Sequence, residues 1–481
     1  MNNTRLSRKM IVNNQAHASP ESEAYSAILA VLGPTLVKSS GAQYDATSTG
    51  TWSLFNSLDR PTCIVYPRTA SDVQVAMNNI YAFGSRYAVR AGGHSPMMGH
   101  NSISNGVLVS FENMAHVSYD AQTNLISLEP GVLLSDAELV LEPHGVSLIG
   151  GRATDVGVGL LLGGGISYMS PLYGWSADRI AEMDVVLVNG ELITVSATNE
   201  HAELFRALKG GANRFGIVTQ FRIYAARTGT KEDKRWFGGT VTYPGSAACD
   251  VLKATAHYIR DVTDPKAAAA MAFNTIGTSA SKAIVVYLFY MGESLPLNIF
   301  GEFLSIPHTS KSFSPRSYFD IALSESGAAR GNGHQYGGAS WLGDEETFLK
   351  GYNSFLDFTQ ASSHELAGAF IVVSPIPVSQ WEASLSGPNA MGNPRVGYAS
   401  ISFTLAYAEG QTVLPKDVDE RFRLMLSKTP SSPGLPLYIN QCDASQDAFS
   451  TYGDLPALQK TYAKYDPTRF NIEHTDGPIG L

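Results

Sequence analysis

Charge is scarce in this chain. Its 481 residues hold 34 Lys and Arg and 43 Asp and Glu, so 16% are charged against 44% hydrophobic. Globular chains average roughly 25% charged, and a disordered chain would show the reverse balance. A net charge of −9, with no dense Lys/Arg block, excludes nucleic acid as an expected partner, because phosphate binding needs a basic footprint. Cysteine is nearly absent. Cys63, Cys249 and Cys442 stand far apart, which makes neither a disulfide framework nor a zinc site. The expectation is three ordinary buried thiols and no metal. Long apolar runs are missing too. Val156–Ile166 falls well short of the roughly 18 residues that span a membrane. The N-terminal stretch, Met1 to Glu23, is polar, with Arg5, Arg8 and Lys9 but no apolar segment behind them. It does not read as a signal peptide. A cytoplasmic protein is expected, or a secreted one if the chain is a processed form.

Glycine is plentiful, and it is unevenly placed. Residues 91–216 hold 18 of the 45 glycines. Glycine costs chain entropy, so a local excess marks tight turns or backbone lying against a ligand. Around this stretch the chain falls into four parts. Residues 1–57 read as a polar leader and a helix from Ser22 to Lys38. Residues 58–228 alternate short strands with glycine-rich turns. Ser71-Asp72 and Ser135-Asp136 are expected to cap helices there. Residues 229–430 carry aromatic strands, Ala283–Tyr290, Ala367–Val373 and Val396–Tyr407, with helices around Ala247–Val262 and Thr347–Ser362. Residues 431–481 are too few for a comfortable domain and are expected to return to the 58–228 part. The fold class that follows is α+β.

Four segments could carry chemistry. In Val89-Arg90-Ala91-Gly92-Gly93-His94-Ser95 a strand runs into two glycines, whose backbone N–H groups can form an anion-binding nest. The second segment is Gly150-Gly151-Arg152-Ala153-Thr154-Asp155-Val156-Gly157-Val158-Gly159, continuing to Gly163-Gly164-Gly165. Its spacing puts Leu162 where a dinucleotide fingerprint needs its third glycine, which rejects a nicotinamide site. The third is Lys209-Gly210-Gly211 through Thr219, by itself an ordinary helix end. The fourth is Tyr438-Ile439-Asn440-Gln441-Cys442-Asp443.

The order and spacing of these segments carry a resemblance. Pro61…Tyr66-Pro67-Arg68-Thr69, Arg90-x-Gly92-Gly93-His94-Ser95, the Val156-Gly-Val-Gly run and Leu208-Lys-Gly-Gly-Ala-Asn-Arg-Phe-Gly resemble the FAD-binding domain of the vanillyl-alcohol oxidase / p-cresol methylhydroxylase superfamily. Tyr438-x-Asn440…Lys464-Tyr465-Asp466-Pro467 is similar to the tail of berberine-bridge-enzyme-like members. The resemblance covers about residues 58–228 and 435–471. In the middle part it is confined to Gly387-Pro388-Asn389-Ala390-Met391-Gly392, similar to a stretch common in fungal members.

The resemblance implies a PCMH-type FAD-binding domain and an α+β substrate domain. It implies that Gly92 and Gly93 hold the FAD diphosphate and that His94 carries the flavin through its 8α-methyl carbon. Arg90, Ser95, Gly99, Asn101, Gly131, Thr154, Val156, Gly157, Gly164, Gly165 and Val218 match positions near FAD in relatives, and Asn440 would reach the flavin from the tail. Two departures matter. Many relatives have a second flavin link from a cysteine where this chain has Ala153, so a single link is expected. A tyrosine often follows the tail asparagine. Here it is Gln441, which cannot serve as a general base. Tyr168 and Tyr407 are the candidate catalytic groups in its place, with His100 and His334 behind them. Val156 stands where a small residue accompanies oxygen access. The expected function is an FAD-dependent oxidase acting on a small apolar metabolite with O2 as acceptor. The alternatives are a redox-neutral isomerase or cyclase with structural FAD, a carbohydrate oxidase, and a non-catalytic flavin-containing binder.

Overall fold

The computed structural model describes residues 18–277, 282–324, 330–392 and 394–481. The polar stretch 1–17 lies outside them. Four sheets carry the described chain. Strands β1 (Val37–Lys38), β2 (Cys63–Val65), β3 (Tyr87–Arg90) and β4 (Val107–Ser110) form a four-stranded sheet in the order β1-β2-β4-β3. The last three are parallel, with Cys63 and Tyr87 both opposite Val107. Both faces of this sheet are covered, so β2 and β4 are buried along their whole length and read as continuous apolar runs. Helices Pro20–Leu36 and Ala70–Phe83 supply one cover through Ala24, Ile28, Val73 and Met77.

The N-terminal helix is broken at Gly33, which has φ 75° and precedes Pro34. Thr69, not Ser71, caps the helix at Ala70: its hydroxyl accepts from Asp72 N, and Asp72 answers as the third helical residue. The helix Leu134–Leu141 starts one residue before Ser135 and has no side-chain cap.

A five-stranded antiparallel sheet follows, built from β5 (Val117–Asp120), β6 (Leu125–Leu128), β8 (Ile180–Val186), β9 (Leu192–Ser196) and β10 (Ile217–Tyr224), in the order β5-β6-β10-β8-β9. A small ribbon pairs β7 (Val146–Ser147) with β11 (Ala226–Arg227). The largest sheet has seven antiparallel strands: β12 (Trp236–Pro244), β13 (Ala267–Asn274), β14 (Ala283–Tyr290), β15 (Ser310–Arg316), β16 (Asn332–Leu342), β17 (Leu366–Ile376) and β18 (Tyr398–Glu409), ordered β15-β12-β14-β13-β17-β18-β16.

Its two faces differ. Met271, Phe273, Ile371, Val373, Ile401, Phe403 and Leu405 point into a core shared with helices Ala248–Asp261, Glu345–Ala361 and Lys416–Lys428. The alternate residues form the other face. One cross-strand row is Val285, Ala272, Val372, Ser402 and Gly338; a second is Asn274, Phe370, Thr404 and Tyr336. These rows hold no ionisable group but the Tyr336 phenol. The tail binds back onto the first part of the chain. Tyr452 Oη donates to Gly210 O at 2.9 Å, and the buried Arg214 donates to Pro478 O and Thr475 O. Cys63 and Cys442 are buried as free thiols, but Cys249 is exposed, contrary to expectation. It lies in the first turn of an amphipathic helix, on the face away from the core.

Candidate active site

A cavity of about 360 Å³ is lined by the glycine-rich loops, the start of β10, the β16 edge of the large sheet and the tail. Strand alternation sets its first wall. Tyr87, Val89 and Ala91 line it, while Arg90 points the other way. Arg90 is buried, and its Nε donates to Asn101 O at 2.8 Å. It staples the loop from behind rather than touching the cavity.

Gly92, Gly93, His94 and Ser95 continue the wall, facing Val156 and Gly157. The two loops touch at Gly92 and Gly157. A Cβ on Gly92 would lie 2.5 Å from Gly157 N, and one on Gly157 would lie 2.4 Å from Gly92 N. Only glycine fits at either position. Asn101 and Val218 also line the cavity. Asn101 Nδ2 donates to Ser95 O at 3.1 Å, and its Oδ1 is buried without a hydrogen-bond partner. A buried, unsatisfied acceptor on a cavity wall fits a ligand that donates there.

From the tail comes Asn440, whose Nδ2 donates to Leu160 O and to Tyr438 Oη, both at 2.9 Å. Its side chain fills the space over Gly163, where a Cβ would come within 2.0 Å of Asn440 Oδ1.

The other expected residues sit behind this wall. Gly99 packs on Asp476, and Gly131 on the carbonyls of Phe111 and Met114. Thr154 accepts Ser135 N in a backbone bond. Gly164 and Gly165 turn the chain against Trp175 and Ser176.

Neither candidate tyrosine reaches the cavity. Tyr407 is fully buried on the helix-covered face of β18, and its hydroxyl donates to Gln335 Oε1 at 2.8 Å. Alternation puts Ala406, not Tyr407, on the open face. Tyr168 packs edge-on to Phe289 at 4.7 Å and lines a separate small cavity. His100 is on the wall, while His334 stacks on Trp52.

What the sequence reading missed is the surrounding of His94. Its ring stacks on Trp52 with centroids 4.1 Å apart, and Trp52 also stacks on His334 at 3.8 Å. His94 Nε2 lies 3.5 Å from Asp155 Oδ1. Tyr336, on the open face of β16, lines the cavity beside Trp52. Arg152 is the one permanently charged side chain on the cavity wall among the described residues. Its Nη2 donates to Ser374 Oγ at 2.8 Å, and its guanidinium lies over the Tyr168 ring. No carboxylate lines the cavity among the described residues.

Burial sets the electrostatics. It holds the His100 imidazole down at about 4, with the Arg214 charge second. It pushes the Tyr336, Tyr438 and Cys442 acids up. For Tyr438 the Asn440 hydrogen bond and the Arg152 charge oppose that rise. Asp155 moves the other way, held below its ordinary value chiefly by its contact with His94.

Residues 61–196, which include both glycine-rich loops, match the family model of the FAD binding domain. An uncharacterised FAD-linked oxidoreductase of Arthroderma benhamiae is 29% identical over 466 residues, 91% of each chain. The chain carries an FAD-binding domain and is an FAD-linked oxidoreductase. FAD is its cofactor, and the cavity's glycine cradle, apolar walls and unsatisfied Asn101 oxygen fit such a group.

The fold of this oxidoreductase is shared with the BBE-like 1 protein of Physcomitrella patens, at TM-score 0.77 and 20% identity over 95% of this chain and 99% of that one. It is shared equally with the glucooligosaccharide oxidase of Acremonium strictum, at TM-score 0.77 and 20% identity over 95% of this chain and 100% of that one. That enzyme is described with a 6-S-cysteinyl, 8α-N1-histidyl FAD. In the described part of this oxidoreductase, no helix is long and apolar enough to cross a membrane.

Proposed function

We propose that this oxidoreductase is an oxidase of a small, largely apolar metabolite, with FAD linked once, through His94, and O2 as the electron acceptor. The observation that carries the substrate class is the open face of the large sheet. Val285, Ala272, Val372 and Phe370 make it apolar, and Ser402, Thr404 and Asn274 add only neutral polar groups. Such a surface suits an apolar ligand with a few oxygens better than a sugar, whose many hydroxyls need partners.

When bound, FAD supplies a hydride acceptor. The chain's own residues do the rest. Gly92 and Gly93 offer backbone N–H groups to the diphosphate. Asn440 braces the glycine-rich loop from the tail side. Arg152 can hold an oxygen on which negative charge develops. Tyr438, joined to Asn440 and close to Arg152, is the phenol placed to move a proton where Gln441 cannot. A single link is supported by Ala153 on the cavity wall, since alanine offers no sulfur.

The test is anaerobic mixing of the holoprotein with a panel of apolar alcohols, amines and phenolic or enolic metabolites. Loss of the visible flavin band, restored by air with release of peroxide, is the expected result. Gln441 in place of the tail tyrosine favours one second reading, a redox-neutral isomerase or cyclase. Product without bleaching would establish that reading and overturn the oxidase. Turnover of oligosaccharides alone would overturn the substrate class.

A further inference from the structure

His94 and Asp155 meet on opposite loops of the cavity, and nothing in the reaction proposed above uses Asp155. Their contact has four features. His94 Nε2 and Asp155 Oδ1 are 3.5 Å apart. Both atoms are buried, and neither has another hydrogen-bond partner. The side chains are 12% and 31% exposed, so the pair is shielded without being sealed off. The imidazole plane is held by Trp52, stacked at 19°.

A carboxylate beside one ring nitrogen keeps the proton on that nitrogen and leaves the other as a lone pair. With Nε2 turned to Asp155, Nδ1 is the remaining nucleophile of a ring that rests on Trp52.

We propose that Asp155 is a positioning residue for covalent attachment of the cofactor: it fixes the His94 tautomer and balances the positive charge that develops on the ring as Nδ1 is alkylated. The inference rests on the reading that His94 carries the flavin. A bond forms between His94 Nδ1 and the 8α carbon, and one C–H bond of that methyl group breaks. The imidazole gives up its Nε2 proton. Two protons and two electrons leave in total, and O2 takes them as H2O2. Asp155 acts only through His94, so its loss should slow attachment without abolishing the site that holds FAD.

The experiment uses the full-length protein and its Asp155→Asn, Asp155→Glu, Asp155→Gln and His94→Ala variants, each incubated with FAD in air and then precipitated with acid. Flavin absorbance is read in pellet and supernatant. The unaltered protein should keep its flavin in the pellet, and His94→Ala should release all of it. Asp155→Asn should carry at least tenfold less flavin in the pellet, with the balance recovered in the supernatant. Equal pellet flavin in Asp155→Asn and the unaltered protein would overturn the proposal. If Asp155→Asn binds no flavin of either kind, the size-matched pair decides. Attachment in Asp155→Glu at least tenfold above Asp155→Gln supports a role for the charge; equal attachment overturns it. A pellet from the unaltered protein without flavin, or a link mapped by mass to another residue, overturns the His94 reading itself and this inference with it.

Discussion

Single atoms decide most of what the site can do. Gly163 carries nothing but hydrogen where Asn440 needs space. Gly163→Ala should therefore push the Asn440 amide off Leu160 and cost about 1–3 kcal/mol, the range for overpacking a filled site. A thermal melt with flavin release as second probe checks it; an unchanged melting temperature would contradict the contact. Tyr407 gives the opposite test. Its hydroxyl bonds Gln335 behind the sheet, so Tyr407→Phe should lose about 1 kcal/mol of stability and leave turnover within about twofold. A large fall in kcat would put Tyr407 back at the reacting centre. Tyr407 stands in an alternating run, Phe403–Tyr407, and that alternation is legible in the sequence. What one sequence does not give is which parity faces in. A shift by one residue exchanges the faces completely.

At the level of elements, the helix Leu134–Leu141 carries a buried carboxyl. Glu138 is 6% exposed and takes a hydrogen bond from Ser147 Oγ at 2.6 Å. Burial pushes its pKa up from 4.5 to about 7. The folded state thus binds a proton that the unfolded chain releases between these values. The stability that proton contributes is fully present below pH 4.5 and is lost as pH rises through 7. Glu138→Gln should raise the melting temperature at pH 8, by the equivalent of about 1–3 kcal/mol, and change it little at pH 4.5. Equal effects at both pH values would refute a proton-linked cost.

Elements also show where sequence legibility ends. The aromatic strand Ala283–Tyr290 lies where the sequence placed it, and the helices Ala248–Asp261 and Glu345–Ala361 fall within two residues of their expected ends. Three strands of the large sheet gave no such signal. β13 is written Ala-Ala-Ala-Ala-Met-Ala-Phe-Asn, β15 is a polar edge strand containing Pro315, and β16 is interrupted by Gly333, Gly337 and Gly338. Small residues and edge proline suit their places in the sheet, but strand propensity reflects packing partners that a lone segment does not reveal. The same gap hid Tyr336, which is on the cavity only because β16 pairs with β18.

Across the whole molecule, the two large parts of the chain are pinned by a buried cation. Lys209 is 0% exposed, and its Nζ donates to Ser386 O, Ser386 Oγ and Gly387 O at 2.9–3.1 Å. Asp178 lies 4.0 Å away. Lys209→Ala leaves that carboxylate buried without its counter-charge and should cost about 3–5 kcal/mol. Asp178→Asn in the same chain should recover part of the loss, a coupling that paired melts would reveal as non-additive.

The glycine excess, read from sequence as backbone lying against a ligand, has a second cause at this scale. At Gly92, Gly157 and Gly163 the chain lies against itself, and those contacts shape the wall.

The tail has a consequence in time. Tyr438 to Cys442, Thr475 and Pro478 all line the cavity, and all are made after every other part of its wall. A ribosome still translating residue 430 has exposed both glycine-rich loops, yet no closed cavity. Capture of the cofactor must therefore wait until residues 438–478 have been made and have folded back onto the glycine-rich loops.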